Sequence, residues 1–161
     1  MDRGEFMGKI FDIITKEFMV VFIATLPLIE LRGAIPIGVS LGMHPIHAMI
    51  LGVLGNLVPI PFLLYFMEPV FNYLKSIGIL QKILDKIVLR TLKKSDNIRK
   101  YSIWGLVLFV ALPLPTTGIW SGCLAATLFN IPAKDAFFAM TLGAIIAGSI
   151  MLTISYGIIL W

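Results

Sequence analysis

The sequence predicts an all-α integral membrane protein made of two inverted repeats, each a re-entrant helical hairpin followed by a transmembrane helix, joined by a basic amphipathic helix. Three observations carry that expectation. Of 161 residues, 58% are hydrophobic and only 14% charged, whereas soluble domains are nearer one-quarter charged. The apolar residues fall in blocks, of which two are long enough to cross a bilayer and the others are too short. The order short arm, polar break, short arm, proline-containing turn, full span occurs twice.

Taken in order, residues 5–18 place Phe6, Ile10, Ile13, Ile14 and Phe18 at helical spacing, with Lys9, Asp12, Lys16 and Glu17 between them. This pattern predicts an interfacial amphipathic helix. From Met19 the chain is apolar, but Pro27 and Glu30 arrive quickly. An arm of about 12 residues reaches only ~18 Å, short of the ~30 Å hydrocarbon core. A second short arm runs from Gly33 to His44-Pro45. Two half-length arms around a polar break describe a re-entrant hairpin, which survives only where its backbone is buried in protein or lines a cavity. Ile46 to Met67 is uncharged and long enough to span, with Asn56 inside it and Pro59 and Pro61 placed to kink it. Glu68-Pro69 is expected to end it at an interface.

Between Lys75 and Leu92, Leu80, Ile83, Leu84 and Ile87 form an apolar stripe while Lys82, Lys86 and Arg90 form a basic row. A basic helix on an anionic leaflet fits that pattern, and a solvated connector is the plainer alternative. The second apolar block opens at Ile103 and breaks at Pro113, Pro115 and Thr116-Thr117-Gly118. Ile119 to Phe129 is its second short arm. After the polar turn Asn130 to Asp135, Ala136 to Trp161 runs uncharged to Tyr156 and Trp161, residues suited to an aromatic belt. We therefore expect a single membrane domain over 1–161, with repeat one at about 17–70, the basic linker at about 74–100 and repeat two at about 103–161.

Local echoes support duplication, Ala24 to Leu28 against Val110 to Leu114 and Gly33 to Gly38 against Gly118 to Gly122. One span separates the hairpins, so the halves would be inverted, a design used by transporters. Clustered Lys and Arg place the linker on the cytoplasmic side of the cell membrane, which puts both termini outside. The N-terminus carries Asp2, Arg3, Glu5, Lys9 and Asp12 rather than the basic-then-apolar order of a cleaved signal, so the mature chain is expected to begin at Met1. The net charge of +4 comes with no recognition motif, so nucleic acid is not an expected partner. Cys123 is the sole cysteine and the chain has two His, which leaves no internal disulfide and no expected metal or other cofactor.

Charged side chains at a bilayer centre cost at least ~2.5–3.5 kcal/mol, so Glu30 and Arg32 need a partner or a water-filled cavity. The functional expectation is that Arg32 holds an anionic head group by its planar donor fork while Glu30 exchanges protons or balances that charge. A structural ion pair at the hairpin tip is the alternative. Thr116, Thr117 and Gly118 offer hydroxyls and amides at a helix start, suited to phosphate or carboxylate, or serve only as a cap. Asn56 either lines the same cavity or bonds across helices. Gly38-Val39-Ser40-Leu41-Gly42 matches the nucleophile elbow of hydrolases, but that motif needs a strand-to-helix turn, and close packing of hairpin arms explains the glycines better. No catalytic residue, and no enzyme, is expected.

With these residues in view, the chain resembles the small multidrug export protein family, related to the DedA membrane proteins. The motifs are Leu26-Pro27-Leu28-Ile29-Glu30-Leu31-Arg32-Gly33-Ala34-Ile35-Pro36 and Leu112-Pro113-Leu114-Pro115-Thr116-Thr117-Gly118-Ile119-Trp120-Ser121-Gly122. In the second, Thr116 stands where the family pattern has glycine. The resemblance implies paired re-entrant hairpins and transport, with DedA relatives implicated in moving polyprenyl phosphate or phospholipid head groups. It carries Glu30, Arg32, Thr117 and Gly118 over as site residues. The expected function is a flippase or exporter of an anionic lipid or small amphiphile, proton-coupled through Glu30, with the two hairpins facing a midplane cavity. Membrane lipids are the expected partners. With only two full spans per chain to shield the hairpins, a homodimer is also expected. The alternatives are a non-transporting scaffold with a structural Glu-Arg pair and an exporter of lipophilic cations.

Overall fold

The computed structural model describes residues 3–76, 97–114 and 117–159. The basic linker helix expected at about 75–92 falls almost wholly outside the described residues, as do Thr116 and Trp161. Among the described residues there are helices and no strands. They are α1 (Arg3–Thr25), α2 (Glu30–Ser40), α3 (Pro45–Leu57), α4 (Pro59–Ser76), α5 (Asn97–Ala111), α6 (Ile119–Leu128) and α7 (Ala133–Ile159). Two stretches are long and apolar enough to cross a membrane, Pro45–Met67 and Ala133–Gly157. At 11 and 10 residues, α2 and α6 are not; each extends roughly 15 Å.

One local feature differs from the sequence reading. The amphipathic stretch and the first arm form one uninterrupted helix, because nothing between Lys9 and Thr25 breaks the backbone ladder. The apolar span ends at Met67, before Glu68-Pro69 as expected, while the helix itself runs on through Pro69 to Ser76; proline deprives only the carbonyl four residues earlier of its donor. Pro59 and Pro61 act as expected, and the helix is interrupted at Val58, whose N–H reaches the Gly55 carbonyl at 3.3 Å.

The chain divides into two compact units, Met1–Val58 with Ile145–Trp161, and Pro59–Ala144. In the first, α1, α2 and α3 pack on one another around Val20, Ala24 and Ala34, all fully buried. Gly148 on the second half of α7 lies against Val53, Met49 and Ile35. In the second unit, α4 and α5 pack on α6, and the first half of α7 brings Met140 onto Cys123, Sγ to Sδ 3.7 Å.

The same construction recurs in each unit. Gly42 ends α2 with φ +83, while Met43 N–H donates to Gly38 O and Gly42 N–H to Val39 O. Asn130 ends α6 with φ +49, while Ile131 N–H donates to Ala126 O and Asn130 N–H to Thr127 O. Both are Schellman motifs closed by a left-handed residue, 88 positions apart. A Cβ on Gly55 would sit 2.6 Å from the Val21 carbonyl oxygen, and one on Gly143, again 88 positions on, 2.9 Å from the Val107 carbonyl oxygen. Val21 and Val107, however, are 86 positions apart. The first arms thus match at one offset and everything after the tips at another, so the second tip carries two extra residues.

Large apolar side chains are exposed on each unit, Phe18 and Phe22 on the first and Phe62, Phe66, Leu108 and Phe138 on the second.

Gly55→Ala and Gly143→Ala should each destabilise the detergent-solubilised protein by about 1–3 kcal/mol, because the new methyl meets backbone that cannot rotate away. Gly8→Ala and Gly105→Ala, whose added methyl meets nothing, should be neutral or slightly stabilising. Parallel thermal melts of the four variants separate the two classes.

Candidate functional site

The first hairpin turns at Leu26–Ile29, where Leu26 N–H donates to Ile23 O and Glu30 N–H to Leu26 O. The tip residue Leu28 is 92% exposed, but two residues later Glu30 is only 6% exposed. Glu30 opens α2, where the positive end of the helix dipole favours a carboxylate. Its backbone is left-handed, φ +52, a conformation that costs a non-glycine residue of order 1–2 kcal/mol. Gly33, one turn on, is required here: any side chain would run into Ile29, which folds back over the helix start. Arg32 is half-buried, and Glu30 acts on it electrostatically. Pro36 lies inside α2 and cannot donate to the Arg32 carbonyl.

Asn56 belongs to the same unit. It follows Gly55, whose missing side chain lets α3 close onto Val21 and Ala24, and Gly52 does the same against Leu31 and Ile35. This close packing leaves Asn56 1% exposed, and among the described residues its Oδ1 has no hydrogen-bond donor. Such a buried orphan acceptor costs about 1–3 kcal/mol. The sequence reading missed a second one, the Ser155 hydroxyl on α7, 3% exposed and likewise without a partner among the described residues. Its signal was a polar residue inside an otherwise apolar span. Also missed was the pair of His47 Nε2 with Glu17 Oε1 at 3.3 Å, which ties α3 to α1.

Thr117 and Gly118 lie in the second unit. The Thr117 hydroxyl donates to the Leu112 carbonyl at 2.6 Å, with the Leu114 carbonyl at 3.1 Å. It therefore closes its own tip. Gly118 caps α6 with φ +150 and ψ −166, a region essentially restricted to glycine. Gly118 is the residue 88 positions after Glu30, so the two helix starts share a positive φ, one filled by glycine and one by a carboxylate-bearing residue. By the same offset Trp120 stands for Arg32 and Ala144 for Asn56. None of the three carries a carboxylate, a guanidinium or an amide side chain. Ser40, in the hydrolase-like motif, sits on the last turn of α2 and donates to Ile37 O at 2.7 Å, not on a strand-to-helix turn.

Large exposed apolar side chains and two stretches of membrane-crossing length are features of a membrane protein. Residues 30–150 match the family model described as "Putative small multi-drug export protein". The chain belongs to this small multi-drug export family. No curated protein and no solved structure matches it.

If glycine is the cheaper residue at the start of α2, Glu30→Gly should be more stable than Glu30→Ala by about 1 kcal/mol although both lose the carboxylate. Gly118→Ala should be destabilising at the equivalent place in α6. Chemical or thermal denaturation in detergent reads both comparisons.

Proposed function

We propose that this protein is a multi-pass exporter or flippase, DedA-like in design, that moves an anionic lipid such as polyprenyl phosphate or a phospholipid, or a small amphiphile, across the cell membrane. The observation that carries the reading is Glu30: a carboxylate buried to 6% exposure, in left-handed backbone, two residues from Arg32. A structural pair gains little from such a place, since buried ion pairs seldom outperform apolar packing, and strained backbone clusters at working sites. Arg32 would hold the head group, Glu30 would exchange a proton, and Asn56 would contribute a polar contact. The tip Thr116, Thr117 and Gly118 would take part through the fixed bend at Gly118 rather than through the Thr117 hydroxyl, which is engaged in the turn.

The recurring Schellman ends and glycine contacts support two repeats, which we read as inverted and their hairpins as re-entrant. The two arms α2 and α6, each too short to cross, support the second point. Phe6, Met7, Phe11 and Ile14 on α1 are exposed, which agrees with contact to lipid or to a second copy in a homodimer. A lipophilic-cation substrate is the second reading, favoured by the Glu30 carboxylate, which attracts positive charge.

In proteoliposomes, Arg32→Ala and Glu30→Gln should each abolish flipping of fluorescent polyprenyl phosphate while melting temperatures stay near wild type, and Ser40→Ala should change neither. Loss of flipping only in variants that also fail to fold would favour a structural pair. Efflux of a lipophilic cation that survives Arg32→Ala but not Glu30→Gln would favour the cation reading.

A further inference from the structure

We propose that the C-terminal end of α3 is a binding site for a small dehydrated monovalent cation of the sodium class, with Asn56 Oδ1 as a ligand. Asn56 is the residue that nothing in the fold requires to be polar. It is 1% exposed, its Oδ1 has no donor among the described residues, and the second half of the chain carries Ala144 at the corresponding position. An oxygen kept there at a stability cost awaits a donor or a cation.

The surroundings favour the cation. α3 ends within two residues of Asn56, and the last carbonyls of a helix form the negative end of its dipole. Prolines follow at 59 and 61. Neither has an N–H, so the carbonyls of Gly55 and Leu57 lose their usual donors four residues on. Gly55 recovers one from Val58 at 3.3 Å, and the Leu57 carbonyl remains a candidate second ligand. α1 ends beside α3, since Gly55 rests against Ala24 and the Val21 carbonyl, so a second negative helix end adds to the first. Glu30 and Arg32, which interact electrostatically, bring little net charge to this unit. The set is therefore neutral oxygen, which suits a hard monovalent ion better than a divalent one.

Size narrows the choice further. Oδ1 is closed off from solvent in this conformation. A bare sodium ion is smaller than a water molecule, whereas potassium and organic ammonium groups are not. Sodium would bind stripped of its hydration shell and enter when α3 and the first hairpin part. Broken helix ends that coordinate ions with backbone carbonyls are a transporter device. The role of this ion as the coupling ion rests on the transport reading, while its binding does not.

The test uses the full-length protein in detergent, with NaCl exchanged for KCl or choline chloride at constant ionic strength. Sodium should raise the melting temperature in a saturable way, as expected for a ligand that binds only the folded state, and potassium and choline should not. Asn56→Leu should abolish the response. Should that variant not fold, Asn56→Ser, which retains a shorter oxygen, should need roughly tenfold more sodium for the same shift. A melting temperature indifferent to sodium, or an undiminished response in either variant, overturns the proposal. Lipid flipping in the same preparations keeps the two readings apart. Sodium binding without flipping would defeat the transport reading alone, and flipping that proceeds equally in choline, with no melting shift, would defeat the cation site alone.

Discussion

The first half of this protein is arranged around one costly placement: a carboxylate at the opening residue of a short apolar helix, in backbone that suits glycine. Left-handed backbone at Glu30 swings the chain from the exposed tip into the interior within two residues. Ile29 can then fold over the start of α2 only because Gly33 has no side chain. α3 in turn closes on the hairpin only because Gly52 and Gly55 present none. Each step is a close approach that a single methyl would obstruct, and together they hold two charged residues where lipid alone could not solvate them.

The second half reproduces the frame without that chemistry. Its second arm ends in the same motif, its span meets the first arm through the same glycine contact, and its helix start has the same sign of φ. Yet glycine, tryptophan and alanine stand where the first half has Glu30, Arg32 and Asn56. With Gly118 the bend costs little; with Glu30 the same bend carries strain. The family match over residues 30–150 covers both second arms, the first span and most of the second, so these positions all lie within the matched region.

Much of this was legible in the sequence because it follows from local chemistry. Charges stranded in an apolar run singled out Glu30 and Arg32, prolines at 27 and 113 located both tips, and an uncharged run identified each span. The span Ile46 to Met67 ended before Glu68-Pro69 as expected, although the helix itself loses only one donor to proline and carries on. One feature was misread for an equally physical reason. The amphipathic start looked separate from the first arm, but hydropathy changes along a helix without breaking it. The echo of Ala24 to Leu28 in Val110 to Leu114 follows the offset of 86 seen in the first arms, but the pairing of Gly33 to Gly38 with Gly118 to Gly122 does not follow the offset of 88 that the helix ends and glycine contacts show after the tips.

The sequence by itself determined the membrane environment, the broken arms and the charged tip, since these depend on residue type and spacing along the chain. Tertiary structure alone decided that Glu30 is left-handed and buried, that Thr117 spends its hydroxyl on its own turn, and that the Asn56 oxygen is buried with no donor among the described residues. A backbone dihedral and a missing hydrogen-bond partner are set by what packs from elsewhere in the fold: for Asn56, the approach of α1 and α2 across Gly55 and Gly52, through Val21, Ala24, Leu31 and Ile35.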